Sequence, residues 1–176
     1  IREMSSLVSD ELSKFDDDYN QGHRIWIAAL KEMIPEKTLY PDANSTMRLT
    51  YGTVRDYDPR DGVTYKYYTT LKGVFEKYKP GDYEFDLPSR LIDLYNRKEY
   101  GRYASSEGYM PVNFLTDNDI TGGNSGSPVL NAKGELIGLA FDGNWEAMSG
   151  DVAFEPELQR TISVDIRYVL WVIDIY

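Results

Sequence analysis

Asp119-Ile120-Thr121-Gly122-Gly123-Asn124-Ser125-Gly126-Ser127-Pro128-Val129-Leu130 sets one hydroxyl, that of Ser125, in a glycine-rich turn just ahead of a short strand-forming run. A nucleophile that attacks a carbonyl needs an exposed side chain and nearby backbone N–H groups aimed at the oxyanion that forms. Without a Cβ at Gly122, Gly123 and Gly126 the chain can turn sharply, and the amides of Gly123 and Ser125 can point into one small hole. A plain surface turn uses the same residue types, so the motif alone leaves both readings open. The apolar hairpin after it favours a nucleophile loop.

Working outward, Pro111–Leu115 reads as a strand before the loop and Ser127–Leu130 as a strand after it. Asn131-Ala132-Lys133-Gly134 is a tight turn, and Glu135–Phe141 is an apolar strand returning beside it. Residues 142–151 read as a polar loop, Val152–Phe154 and Thr161–Val164 as β-like, and Ile166–Tyr176 as an apolar C-terminal helix. Upstream, Thr46–Val54 alternates with a period near two, which predicts a strand. Asp58-Pro59-Arg60-Asp61-Gly62 then signals a turn before the β-forming run Val63–Thr69, so the pair predicts a hairpin. Leu71–Tyr78 and Leu91–Tyr95 read as short helices, and segment 71–110 as an insertion between barrel strands. In residues 1–40, Leu7, Val8, Leu12 and Phe15 have helical spacing. Asp16-Asp17-Asp18 reads as a solvated helix end, and Ile25–Ile34 as a second helix closed by Pro35. These helices are expected to be the tail of a larger helical region.

The chain has 176 residues, 41% of them hydrophobic, enough for one compact domain or one plus an extension. A formal net charge of -10 repels phosphate backbones and anionic membrane surfaces, so no nucleic-acid partner is expected. No apolar run approaches the ~20 residues of a membrane span, and no membrane insertion is expected. The absence of cysteine excludes disulfides, thiolate catalysis and zinc-thiolate sites. With one histidine, a metal site would rest on carboxylates such as Asp56, Asp58 and Asp61, which suit turns better, so neither metal nor cofactor is expected. Ile1-Arg2-Glu3 carries neither initiator Met nor signal peptide and reads as a cut within a longer protein.

The Ser125 loop with its succeeding strand, hairpin, Gly-ending strand and C-terminal helix resembles the C-terminal barrel of trypsin-like serine peptidases. Residues 119–128, Phe141-Asp142-Gly143-Asn144-Trp145-Glu146 and Asn44-Ser45-Thr46-Met47-Arg48-Leu49-Thr50-Tyr51-Gly52 together more closely resemble the bacterial dipeptidyl-peptidase 7 and 11 family. The resemblance implies a mainly β fold with helical additions: a single trypsin-like C-terminal β-barrel over residues 41–176, with residues 1–40 the tail of a helical domain. It implies Ser125 as nucleophile, the amides of Gly123 and Ser125 as oxyanion hole, and Asp142 as the group that holds a substrate's α-ammonium. It also implies that position 143 shapes the pocket for the residue before the cleaved bond, Arg there going with acidic residues and Gly with hydrophobic ones. Gly143 then predicts an apolar preference, since a buried substrate carboxylate would be left unpaired. Taken by itself, Asp142 also suits a turn as half of an Asp-Gly pair.

A serine nucleophile of this type needs a His base and an Asp to orient it. His23 is the only histidine, and it sits beside an expected helix start, where a surface or capping role is the expectation. The resemblance places base and Asp in a first barrel absent from these residues, so the chain alone is expected to lack peptidase activity. It further implies an oligopeptide partner with a free N-terminus, a homodimer and the bacterial periplasm. Two rivals stand beside this reading: a trypsin-like endopeptidase domain, glutamate-specific or housekeeping, and a peptide-binding module that has lost catalysis. A blocked peptide N-terminus separates the first from an exopeptidase, and fluorophosphonate labelling separates the second.

Overall fold

A computed structural model describes residues 12–37, 39, 45–150 and 154–176. The chain divides into two compact units, Ile1–Asp42 and Ala43–Tyr176. In the first, helix α1 (Asp16–Met33) runs for 18 residues. It continues through Gly22, which costs a helix interior about 1 kcal/mol, and takes in the second expected helix as far as Met33, while Leu12 and Ser13 lie in a helical stretch that ends at a turn before it. Asp16, Asp17 and Asp18 occupy its first turn rather than the end of a preceding helix. Their charge there complements the positive end of the helix dipole. The helix stops before Pro35, with the Ile34 amide donating to Leu30 O. Expectations for Leu7, Val8 and most of Val152–Phe154 lie outside the described residues.

In the second unit, β1 (Tyr57–Arg60) and β2 (Val63–Tyr65) form an antiparallel hairpin. Its turn is the pair Asp61-Gly62, where Gly62 takes a φ of 74°. The expected turn was longer, but Asp58 and Pro59 belong to β1, and the run expected over Val63–Thr69 divides into β2 and β3 (Tyr68–Thr70). After β3 come α2 (Leu71–Glu76), α3 (Ser89–Arg97), a 3-10 turn at Gly101–Tyr103 and β4 (Pro111–Thr116). Next are β5 (Pro128–Leu130), β6 (Leu136–Gly143), a 3-10 turn at Trp145–Ser149, β7 (Thr161–Asp165) and α4 (Ile166–Asp174). Strands β3 to β7 make one antiparallel sheet in the order β3-β4-β7-β6-β5.

The sheet is open. Among the described residues no ladder joins its edges β3 and β5, so the closed trypsin-like barrel expected over residues 41–176 is not what this structure contains. The physical reason lies in Thr46–Val54, expected as a strand. Only Val54 bridges to β4, at Thr116. The alternation of the segment is nonetheless used: Met47, Leu49 and Tyr51 are exposed, while Arg48 and Thr50 bond through their side chains to the segment after β4. Side-chain bonds replace the ladder.

The main apolar core lies between the 71–110 insertion and α4. Leu71, Leu91, Leu94, Tyr100, Tyr103 and Met110 pack with Trp171, which is fully buried. Its indole N–H donates to Glu99 O at 2.9 Å, so burying it leaves no polar atom unpaired. The insertion begins and ends at one place, because the Leu71 amide donates to Met110 O. Replacing Trp171→Ala is expected to lower unfolding free energy by about 3–5 kcal/mol, measured by denaturant titration of the full-length protein. A change below about 1 kcal/mol would place the stabilising core elsewhere.

Candidate functional site

Residues 117–127 connect β4 to β5 and carry the Ser125 turn. Gly123 (φ 97°) and Gly126 (φ 80°) lie in the left-handed region that a side chain disfavours. The turn is closed from within by Asn124, whose side-chain oxygen accepts from the Thr121 amide at 3.1 Å and whose backbone oxygen accepts from the Ser127 amide at 2.9 Å. It is tied to the sheet by the Gly126 amide donating to Ala140 O at 2.7 Å and the Ala140 amide to Ser127 O at 3.0 Å. The amides of Gly123 and Ser125 and the Ser125 hydroxyl make no hydrogen bond among the described residues. Ser125 is exposed. A free hydroxyl beside two free amides is the equipment for attacking a carbonyl and receiving its oxyanion.

Outside support comes from residues 48–55. Arg48 donates to Thr121 Oγ1, to Gly122 O at 2.9 Å and to Asn124 Oδ1 at 3.3 Å. Thr50 Oγ1 donates to Asp119 O at 2.7 Å, and the Thr53 amide and hydroxyl donate to the two oxygens of Asp117 at 2.6 and 2.9 Å. Arg55 adds an ion pair to Asp117 at 3.4 Å. Gly52 permits this close run, since a Cβ there would stand 2.7 Å from Asn118 N. Burial by itself would raise the Asp117 carboxyl. The Thr53 donors and the Arg55 guanidinium outweigh it and hold the group below its ordinary value.

The facing wall is the end of β6. Ala140 pairs with Ser163 and Asp142 with Ile162, so Phe141 is an extra residue, a β-bulge that re-aims the residues after it. Asp142 and Gly143, expected in a loop, are thus the last two residues of a strand. An Asp142 carboxylate oxygen accepts from the Gly143 amide at 2.8 Å. Gly143 sits against the 3-10 turn, where a Cβ would come within 2.9 Å of the Ala147 Cβ. Asn144 is buried and donates to Leu158 O and to Glu146 while accepting from the Arg160 amide, each at 2.8 Å. Arg160, buried too, gives its Nη groups to the carbonyls of Pro156, Gln159, Asp56 and Glu157.

Ser125, Asp142 and Gly143 line one open pocket of about 310 Å³, with Phe141, Met148 and Phe154 among its apolar walls. Gly123 stands two residues before Ser125 in the same turn. His23 is not part of this unit: it is exposed in the interior of α1, stacked on Tyr19, rather than beside a helix start. Sequence reasoning missed Arg48, Thr50 and Asp117. The signal for Arg48 and Thr50 was the polar half of the 46–54 alternation, and Asp117 carried none.

A family model described as Peptidase S46 matches residues 1–176. The chain belongs to the Peptidase S46 family. It is 55% identical over 172 residues to dipeptidyl-peptidase 7 of Phocaeicola vulgatus, covering 98% of this chain and 24% of that protein. It is 52% identical over 165 residues to the Asp/Glu-specific dipeptidyl-peptidase of Porphyromonas gingivalis, covering 94% and 23%. Its structure is similar to that of Porphyromonas endodontalis DPP11 in complex with the dipeptide Arg-Glu, with a TM-score of 0.89, 48% identity and coverage of 96% of this chain and 24% of that one. The chain therefore spans about a quarter of the length of these S46 relatives.

The lowered Asp117 carboxyl has a defined pH signature. Its stabilisation is present above the ordinary value of 3.8 and is lost as pH falls through the lower native value. Asp117→Asn in the full-length protein is expected to flatten the stability curve below about pH 4. Denaturation midpoints between neutral and acid pH measure this, and an unchanged acid limb would assign that limb to other carboxylates.

Proposed function

We propose that this chain carries the nucleophile and the substrate-terminus anchor of a serine exopeptidase that releases dipeptides from the free N-termini of oligopeptides. The observation that carries the proposal is Ser125 with an unengaged hydroxyl, beside two unengaged amides, on a pocket whose opposite wall presents Asp142 and Gly143. Ser125 attacks the carbonyl after the second residue, and the Gly123 and Ser125 amides receive the oxyanion. Asp142 holds the α-ammonium through a charge-assisted bond, which limits the enzyme to free N-termini. The names of the relatives, dipeptidyl-peptidase 7 and Asp/Glu-specific dipeptidyl-peptidase, support the reaction class. The proton acceptor and its orienting carboxylate come from the part of the enzyme outside these residues, since His23 is the only histidine here. The resemblance extends the proposal to a trypsin-like double barrel in the whole enzyme, to a homodimer and to the periplasm.

For the residue before the cleaved bond we infer an apolar preference. No cation stands at position 143, and the Arg160 Nη hydrogens in the same pocket are committed to four backbone carbonyls. The remaining Arg160 N–H, on Nε, is unpaired but fully buried, so a carboxylate entering that pocket would be desolvated without a partner within reach.

In the full-length enzyme, Ser125→Ala should abolish dipeptide release and fluorophosphonate labelling. Acetylating the peptide N-terminus should abolish cleavage by the parent enzyme. Asp142→Asn should lower kcat/KM by about 10- to 100-fold, the worth of one charge-assisted bond. Retained cleavage of acetylated peptides would favour an endopeptidase of the same fold.

Gly143→Arg, combined with Ala147→Gly to relieve the Cβ contact, should shift preference toward Asp or Glu before the cleaved bond. A series of dipeptidyl substrates differing only in that residue reads the shift. Unchanged preference would put the specificity determinant at another position.

A further inference from the structure

The Gly122–Gly123 peptide is the least self-supporting unit in the site. Neither flanking residue has a side chain to restrict it, a Cβ at Gly122 would meet open space, and Gly123 has a φ of 97°. A trans peptide is planar, so its C=O and N–H point in opposite directions and rotate together. Whatever fixes Gly122 O therefore fixes the Gly123 N–H. Arg48, 74 residues away, donates to Gly122 O at 2.9 Å, and the same guanidinium reaches Thr121 Oγ1 and Asn124 Oδ1. A planar fork held by three acceptors has little freedom to turn. Thr50 on Asp119 O and Thr53 on Asp117 secure the backbone that presents it.

We propose that Arg48 is a positioning residue for the oxyanion hole: it locks the Gly122–Gly123 peptide with the Gly123 N–H turned toward the site, and does so from outside the pocket. A positive charge on the carbonyl also draws electron density from the peptide and makes its N–H a stronger donor. Arg48 touches neither substrate nor the reacting atoms. Its effect is confined to the state in which the oxyanion exists, so it acts on kcat with little effect on KM.

The inference rests on the reading of Ser125 and Gly123 given above, and the experiment separates the two. In full-length enzyme, Ser125→Ala, Arg48→Ala, Arg48→Lys and Thr121→Val are compared for kcat, KM, and affinity for a dipeptidyl boronate and for the product dipeptide. Ser125→Ala without activity upholds the nucleophile, and full activity in that variant overturns it, whatever Arg48 does. With the nucleophile upheld, Arg48→Ala is expected to lose about 10- to 100-fold in kcat and the same factor in boronate affinity, as for a misplaced catalytic group. KM and product affinity should stay within about twofold, since neither involves the oxyanion. Added methylguanidinium should restore part of kcat, and Arg48→Lys should fall between parent and Ala. Thr121→Val, which removes one acceptor and leaves Gly122 O engaged, should have the smallest effect. It also carries the test, with Arg48→Lys, if Arg48→Ala does not fold. Unchanged kcat, or boronate and product affinities lost in parallel, overturns the proposal.

Discussion

A loop that leaves its backbone N–H groups unpaired cannot use those groups to hold its own shape. Between β4 and β5 the chain meets this constraint by taking support from side chains. Asn124 closes the turn from within, and residues 48–55 hold it from without through a guanidinium, two threonines and their bonds to the Asp117 carboxylate and the Asp119 carbonyl. Charge-assisted bonds at these points are stronger than neutral ones and better defined in direction. Gly123 and Gly126 make the geometry accessible, and the strap decides which geometry is occupied.

The apolar core is placed apart from this polar assembly along the chain. Trp171 and the insertion between β3 and β4 provide the apolar packing around α4. Strand β7 links this packing to the site. At its C-terminal end Asp165 caps α4, accepting from the Arg167 amide at 2.9 Å and from its guanidinium at 2.7 Å. Along one side β7 pairs with β4, and along the other with β6, whose end forms the pocket wall. Asp142 and Gly143 are therefore on a strand whose neighbour is anchored by the core, which holds them more firmly than a free loop would.

Local chemistry made much of this legible in the sequence. The Ser125 turn, the hairpin after it, β4, β7, α4 and the two short helices of the insertion each carry a strong local pattern. The closed barrel was not legible, because closure depends on whether 46–54 makes a ladder, and a period of two gives no information about which face is used. Arg48 and Thr50 turn toward the loop, and Met47, Leu49 and Tyr51 are exposed. The start of α1 was missed because Asp16-Asp17-Asp18 reads as the end of the helix before it, while an acidic run suits a helix start.

The bulge at Phe141 shifts the register of the end of β6: Asp142 and Gly143 pair in regular order with Ile162 and Thr161, one step out of phase with Ala140 and the residues before it. A carboxylate oxygen of Asp142 accepts from the Gly143 amide, which orients the acid along the chain and leaves its other oxygen without a partner among the described residues. The absent Cβ at Gly143 lets the 3-10 turn approach through Ala147. Any larger side chain at position 143 has to displace that turn before it can enter the pocket.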